Sequence, residues 1–431
     1  MQKTEEHRSL LLSPRTWLII ILLGLSGQIA WGIENSWFNT FVYDTLTPDP
    51  RPVAWMVAVS AITATLTTLV MGTLSDRTRL RMGRRKPFIL FGYILWGLAT
   101  ALFPTVAFIK TLGLAVFMVV LIDALMTFFG STANDAAFNA WTTDITTPAN
   151  RGRVESVLQI TVFLANIVTF VAAGMVIDTF GYFVFFYALG ALVILAGIVA
   201  GSLLKEAPPP EAKPQTSYLK DLLSVFRWQT VRENQLLFML FTTILIASIA
   251  NQVSFPYLIV YFENFLGYSK SEFSLMAGGV LLANVLLAIP FGILADRWNR
   301  RKMLIVVTLI WSIATFIFSL TRTLPTIIAA SLVVQPMAMV MSIVNIAWMK
   351  DLLPEENRGK FFGIRMIFWI ALPMVIGPAI GSTLIRTYGI PTTLNGAEGF
   401  IPPPHIWWAT AVIGLLSLIP LFLMGRRKQA A

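Results

Sequence analysis

Twelve blocks of predominantly apolar residues divide this chain, and no motif constrains the fold as tightly as they do. They fall at 17–43, 53–74, 88–108, 112–143, 154–177, 182–203, 235–261, 273–294, 303–321, 325–349, 361–385 and 406–425. A helix of about 20 such residues crosses the hydrocarbon core of a bilayer, where each backbone N–H and C=O must find its partner within the helix. Only 13% of the residues are charged, about half the share found in soluble domains. A soluble enzyme, a disordered chain and a collagen-like chain are therefore excluded. The first block is too long, and too polar after Gln28, to be a cleaved signal peptide. The absence of cysteine excludes disulfides, zinc–thiolate sites and thiol catalysis. The expectation is an all-α polytopic membrane protein with the lipid bilayer as its surroundings.

The basic residues orient the blocks. Twenty-six lie before the first block, after every even-numbered one, or at the chain end, while only Arg51, Lys110, Lys270, Arg322 and Arg386 lie on the opposite side. By the positive-inside rule both termini are cytoplasmic, in a protein of the plasma membrane. The formal net charge of +10 then needs no nucleic-acid partner.

An internal repeat organises the chain. Asn139-Ala140-Trp141-Thr142-Thr143-Asp144, followed by Arg151 and Gly152, matches Trp348-Met349-Lys350-Asp351, followed by Arg358 and Gly359, in the second half. Gly72-Thr73-Leu74-Ser75-Asp76-Arg77 likewise matches Gly292-Ile293-Leu294-Ala295-Asp296-Arg297. Two six-helix halves are expected, 1–203 and 235–431. The connecting stretch 204–234 begins Pro-rich and continues with Tyr218, Leu219, Leu222, Leu223 and Phe226 at helical spacing, which predicts a linker with a helix on the cytoplasmic surface. Asp76 and Asp296 stand where a carboxylate can meet helix N-terminal amides or a neighbouring cation. With Arg77, Arg84, Arg85, Asp144, Arg151, Arg297, Asp351 and Arg358 they form a candidate conformational latch; purely topological charge is the alternative.

Twelve blocks in two halves, with a Gly-x-x-x-Asp-Arg loop after the second and the eighth, resemble the major facilitator superfamily. Within it, the stretch from Ser75 through Arg84-Arg85-Lys86-Pro87-Phe88 is similar to the loop of glycoside–pentoside–hexuronide:cation symporters and proton–sucrose carriers. The resemblance implies alternating access around a midplane site and coupling to a cation gradient. Melibiose-type members hold sodium with carboxylates on the second span, and the matching places here are near Ala64 and Thr68. A sodium site of that design lacks part of its ligands, whereas a proton needs one carboxyl.

Ionisable groups at bilayer depth cost roughly 2.5–3.5 kcal/mol each on insertion scales, so each is a functional candidate. Asp135 is central to a stripe of Thr127, Ser131, Asn139 and Thr142 at 100° per residue, and is the expected proton-carrying group. A structural Asp bonded to another helix is the alternative. Glu34 is the second protonation candidate, with pairing to a neighbouring helix as its alternative. Trp31, Asn35 and Asn39 follow at helical spacing and suit a sugar, an indole against C–H faces and amides against hydroxyls. The second half offers Asn251, Gln252, Gln335 and Asn345 as further substrate contacts or as helix glue. Arg365 is expected to snorkel to the cytoplasm.

The combined expectation is a monomeric secondary transporter for a small molecule, a proton-coupled symporter of a sugar or glycoside. An exporter of drugs or lipid-like amphiphiles, and a receptor or scaffold on the same fold, are the alternatives. Only His7 and His405 occur, without a nucleophile–base, metal-ligand or Gly-x4-Gly-Lys-[Ser/Thr] pattern, so neither an enzyme nor a cofactor or metal is expected.

Overall fold

The computed structural model describes residues 12–147, 150–206, 228–353 and 364–428. Among the described residues, eleven helical stretches are long and apolar enough to cross a membrane. The first four are Pro14–Thr45, Arg51–Arg77, Lys86–Phe108 and Leu112–Ile145. The fifth stretch, Arg151–Leu203, has 53 residues, which as one helix would measure about 80 Å against a hydrocarbon core of about 30 Å. Gly181, at φ 80° and ψ 169°, breaks it. Positive φ strains a residue with a Cβ, so glycine there makes the turn that divides this stretch into the fifth and sixth spans. The seventh to twelfth spans are Gln235–Phe265, Lys270–Leu287, Arg300–Leu320, Leu324–Leu352, Ile364–Tyr388 and His405–Met424. Twelve crossings follow, and an even number returns the chain to the side on which it began.

Several starts are capped as the sequence permits. Ser13 accepts from the Thr16 N–H at 3.2 Å, and Asn299 from the Lys302 N–H at 3.1 Å. Ser269 and Glu272 form a reciprocal capping box at the eighth span. The surface helix expected over 218–226 lies outside the described residues; Trp228–Glu233 is a short helix leading into the seventh span.

The chain forms two compact units. One comprises Met1–Phe41 and Ile62–Pro214, the other Val42–Ala61 and Gln215–Ala431. The end of the first span and the beginning of the second therefore belong to the second unit.

Inside the first unit, the third and sixth spans meet at Gly97 and Gly190. A Cβ on either would stand 2.5 Å from the other's carbonyl oxygen, so the absence of side chains is what allows the contact. Phe38 stacks on Phe103 at 3.9 Å and meets the edge of Phe186 at 4.9 Å. The buried Trp37 indole donates to the Thr169 carbonyl at 2.7 Å.

Inside the second unit, the seventh and eleventh spans approach in the same way. A Cβ on Gly381 would lie 2.3 Å from the Val253 carbonyl oxygen. The Tyr257 hydroxyl lies 3.1 Å from the Pro378 carbonyl and 3.3 Å from that of Pro50. Lys270 bridges Asp44, at 2.9 Å, and Glu263. A two-stranded hairpin joins the last two spans, with β1 (Ile390–Leu394) antiparallel to β2 (Ala397–Ile401). Its turn is Asn395-Gly396, both at positive φ, the preferred pair for a two-residue hairpin. The Phe400 N–H donates to the Pro48 carbonyl at 3.0 Å. The hairpin departs from the plain loop implied by the apolar blocks, and the Asn-Gly pair was its signal.

Gly97→Ala forces a methyl against the Gly190 carbonyl and is expected to lower the thermal unfolding midpoint in detergent, at a cost of about 1–3 kcal/mol. Gly113→Ala, where a Cβ meets nothing within 4 Å, is the silent control.

Candidate functional site

In the first unit the site is built on a change of helix pitch. The fourth span is α-helical over Leu112–Gly130, π-helical over Ser131–Phe138 and α-helical again over Asn139–Ile145. A π turn closes i→i+5 bonds, so it holds more residues per turn and rotates the faces on either side of it. The stripe drawn at 100° per residue is therefore corrected. Thr127, ahead of the π segment, is buried and donates to Glu34 Oε1 at 2.8 Å. Ser131 donates to Asp135 Oδ2 at 3.1 Å. Asn139 is exposed, with its amide donating to the Asp135 carbonyl at 3.1 Å. Thr142 is buried and donates to the Asn139 carbonyl at 2.8 Å. The Asp135 side chain is half-buried. The Trp31 indole N–H approaches the same carboxylate without completing a well-formed hydrogen bond.

The first span is not one continuous face either. Its helix stops at Glu34 and resumes at Trp37. Trp31 leans on Trp96, centroids 5.0 Å apart, and packs where a Gly130 Cβ would otherwise stand. Asn35 donates to the Trp31 carbonyl at 2.8 Å, and Asn39 to the Asn35 carbonyl at 3.2 Å. Asn39 is 0% exposed, and its Oδ1 accepts no hydrogen bond from the described residues. Glu34 is buried and engaged with the fourth span through Thr127.

In the second unit, the four amides picked out in the sequence converge. Asn251, Gln252, Gln335 and Asn345 line one cavity of about 440 Å³, with Trp311 and Trp369 among its walls. Gln252 Oε1 and Asn345 Oδ1 are buried and accept no hydrogen bond from the described residues. No residue of the lining is charged. Arg365 is half-buried and stands over the Trp369 ring at 5.3 Å from its centroid. Trp369, Ser248, Ser342 and Trp311 also face the cavity, and none of them was picked out in the sequence. Ser248 and Ser342 stand one turn from Asn251 and Asn345, whereas Trp311, on the ninth span, has no such neighbour to mark it.

The charged loops pair within each unit. Arg85, 5% exposed at its side chain, binds Asp76, donates to Ser75 at 2.6 Å and reaches Asp144 at 3.5 Å. Arg84 pairs with Asp144 at 2.7 Å. These contacts tie together the adjoining ends of the second, third and fourth spans. Arg300 and Asp351 repeat the Arg84–Asp144 pair more loosely, at 3.4 Å, with Asp351 55% exposed. Arg77, Arg151 and Arg297 are exposed, and Gly72 and Gly292 have open space where a Cβ would be. Asp296 lies in the last turn of the helix Lys270–Arg297; Arg358 falls outside the described residues. The Glu206 carboxylate accepts from the backbone N–H groups of Arg84 and Arg85, each at 2.7 Å, and from that of Lys86, capping the third span.

The family model of the Major Facilitator Superfamily matches residues 16–270 and 240–431. The chain belongs to that superfamily. Its members are membrane transporters rather than enzymes. Solved structures similar to it include the nucleoside transporter NupG, with a TM-score of 0.69 at 14% identity over 95% of this chain and 98% of that one. A bacterial homologue of the human lysosomal transporter Spinster, inward-facing and occupied, has a TM-score of 0.66 at 13% identity over 96% of both chains. An uncharacterized MFS-type transporter of Methanocaldococcus jannaschii is 24% identical over 135 residues, 31% of this chain. The chain thus spans 34% of the length of that curated relative. In this superfamily setting the Arg-Arg-Lys tripeptide at 84–86 and again at 300–302 is a third repeat match, legible in the sequence and overlooked.

Arg85→Ala leaves Asp76 and Asp144 facing each other at the membrane edge and is expected to cost about 2 kcal/mol, below the full penalty of a deeply buried pair because both carboxylates are partly wet. Arg300→Ala breaks an exposed, longer pair and should cost under about 1 kcal/mol. Detergent melts of the two variants measure the difference.

Proposed function

We propose that this protein is a secondary active transporter working by alternating access, and that it couples the uptake of a neutral sugar or glycoside to the movement of protons. The observation that carries this reading is the uncharged cavity of the second unit. Its amides offer hydroxyl partners on both the donor and the acceptor side, and its tryptophans offer flat faces for C–H surfaces. Asn345 Oδ1 and Gln252 Oε1 accept nothing from the described residues, which favours a ligand rich in O–H donors. A volume of about 440 Å³ lies in the range of small-molecule sites. Among the described residues no cation or carboxylate lines the cavity, which supports a neutral substrate.

Asp135 is the coupling group of this proposal. It is a half-buried carboxyl on a polar turn at bilayer depth, held by Ser131 beside Trp31. Trp31 and Asn139 are proposed as substrate contacts from that side, with Glu34 a secondary protonation site. The second span supplies no carboxylate at Ala64 or Thr68, which favours the proton over sodium. Arg85 and Asp76 act as a latch that holds one arrangement of the cytoplasmic ends. The positive loops support insertion in the plasma membrane with both termini cytoplasmic, as a monomer.

A second reading draws on Met341, Ile370 and Met374 in the same cavity. They favour a substrate with an apolar part, either a glycoside with a ring-bearing aglycone or an exported amphiphile. NupG is a nucleoside transporter, and a nucleoside is itself an N-glycoside, so nucleosides belong in the substrate panel.

The test is uptake of radiolabelled sucrose, lactose and uridine into proteoliposomes with and without an inward proton gradient. Asp135→Asn is expected to abolish gradient-driven accumulation while leaving exchange between labelled and unlabelled substrate. Full accumulation by that variant would remove Asp135 as the coupling acid. Asn345→Leu is expected to raise the half-saturating substrate concentration about tenfold, the scale of one lost hydrogen bond with its partner left buried.

A further inference from the structure

We propose that Tyr93 and Asn134 are positioning residues, which hold open the π turn of the fourth span and so fix the direction in which Asp135 presents its carboxyl. The inference rests on the reading of Asp135 as the proton-carrying group and adds residues that touch neither the substrate nor the carboxylate's own hydrogen bond.

Asn134 and Asp135 are neighbours inside Ser131–Phe138, yet their side chains have different surroundings. Asp135 is half-buried and bonded to Ser131, whereas Asn134 is buried. The Asn134 amide donates to the Tyr93 hydroxyl at 2.9 Å. That hydroxyl donates in turn to the Leu23 carbonyl at 2.9 Å. Leu23 lies in the first span and Tyr93, fully buried, in the third. The relay therefore ties the π turn to the backbone of one neighbouring helix through a side chain of another. A carbonyl has two lone pairs, so Leu23 can serve this bond in addition to its own helix.

The space around the turn matches the bonds. A π turn is wider than an α turn, and whatever faces it must recede. On the first span the facing residue is Gly27, where a Cβ would fall 1.8 Å from Asn134 Nδ2 and 3.0 Å from the Tyr93 hydroxyl. On the third span it is Gly92, where a Cβ would fall 2.6 Å from that of Ala133. Glycine at both places gives the bulge its room, and the Tyr93–Asn134 bond keeps the bulge in it. If the bulge slips by one residue, the side chains beyond it rotate by about 100°. Such a slip carries the Asp135 carboxyl away from Trp31. The ionisable residues on the elements packed against this turn are Arg15 and Glu34 on the first span, Lys86 and Tyr93 on the third, and Asp123 and Asp144 on the fourth. Arg15, Lys86 and Asp144 stand at the span ends, and Asp123 lies twelve residues ahead of Asp135. Glu34 bonds Thr127, eight residues ahead of Asp135 and about 12 Å along the helix.

The test uses the full-length protein in lipid nanodiscs, with the proton as the probe. Infrared difference spectra between about pH 5 and about pH 8 report the protonated carboxyl stretch, and the band missing in Asp135→Asn belongs to Asp135. In Tyr93→Phe, which keeps the ring and removes the relay, the titration midpoint of that band is expected to move by about half a pH unit or more. Gly27→Ala, which displaces Asn134 sterically without deleting a polar group, should move it too. Gly381→Ala, destabilising but on the eleventh span in the second unit, should leave it in place. A midpoint unchanged in both Tyr93→Phe and Gly27→Ala overturns the proposal, and so does an equal movement in Gly381→Ala. If Gly27→Ala does not fold, the nearly isosteric Tyr93→Phe decides alone. If no titrating band disappears in Asp135→Asn, the coupling reading of Asp135 itself fails, an outcome distinct from either of these.

Discussion

Hydrocarbon offers no partner to an exposed peptide group, and the architecture follows from that constraint. The chain can depart from the α-helix only in ways that keep the main-chain bonds closed. It does so with π segments at Ser131–Phe138, Val168–Ala172, Tyr261–Phe265 and Ile367–Ala371. Each holds a residue with work beyond packing. Asp135 lies in the first, and Thr169, whose carbonyl takes the Trp37 indole proton, in the second. Glu263, bound to Lys270, lies in the third, and Trp369, a wall of the amide cavity, in the fourth. A change of pitch is the cheapest way for a membrane helix to turn one side chain off its apolar face without opening the backbone.

Close approach of helices obeys the same economy. Association inside lipid gains nothing from hiding one apolar surface against another, so contact distance and interhelical hydrogen bonds decide it. Gly97 against Gly190 and Gly381 against Val253 bring backbones together where any Cβ would intrude. Tyrosine hydroxyls then bridge the packed helices, with Tyr93 on the Leu23 carbonyl in one unit and Tyr257 on that of Pro378 in the other. At the aqueous edge the partners become ions. The first unit packs its arginine pair more tightly than the second, although the same Arg-Arg-Lys tripeptide serves both.

The spans, the superfamily and the pairing of repeated loops were legible because they depend on composition and on matches between the two halves, both of which survive without coordinates. The amides of the second unit were legible as residue types, since Asn251, Gln252, Gln335 and Asn345 are costly in lipid wherever they point. The π segments were not. Ser-Thr-Ala-Asn-Asp-Ala-Ala-Phe carries no signal that separates a π turn from an α turn, because the choice depends on what recedes across the interface. Drawing the fourth span at a constant pitch therefore grouped Thr127 and Thr142 with Asp135, although one bonds Glu34 and the other its own helix. The interruption of the first helix between Glu34 and Trp37 carried no sequence signal either. Glu206 had no sequence signal at all, because its three backbone partners lie some 120 positions away along the chain.

The division of chemistry between the two units also has a physical rationale under the proposed mechanism. A cavity lined only by neutral amides exchanges water for substrate hydroxyls at a net gain of about 1 kcal/mol per hydrogen bond. Binding on that scale is reversible from either side of a membrane, and it carries no information about direction. Direction has to come from a group whose cost at bilayer depth changes during the cycle. A carboxylate does this on losing its proton, because charged groups at that depth cost roughly 2.5–3.5 kcal/mol and a neutral carboxyl avoids most of it. If the carboxylate stood inside the amide cavity, its charge would select a cationic ligand and tie substrate choice to protonation. Asp135 lies in the first unit and the amides in the second, so each group keeps its own chemistry. Under this proposal the rigidity of the turn beneath Asp135 matters as much as the acid itself, because the turn fixes where the carboxyl points as its protonation changes.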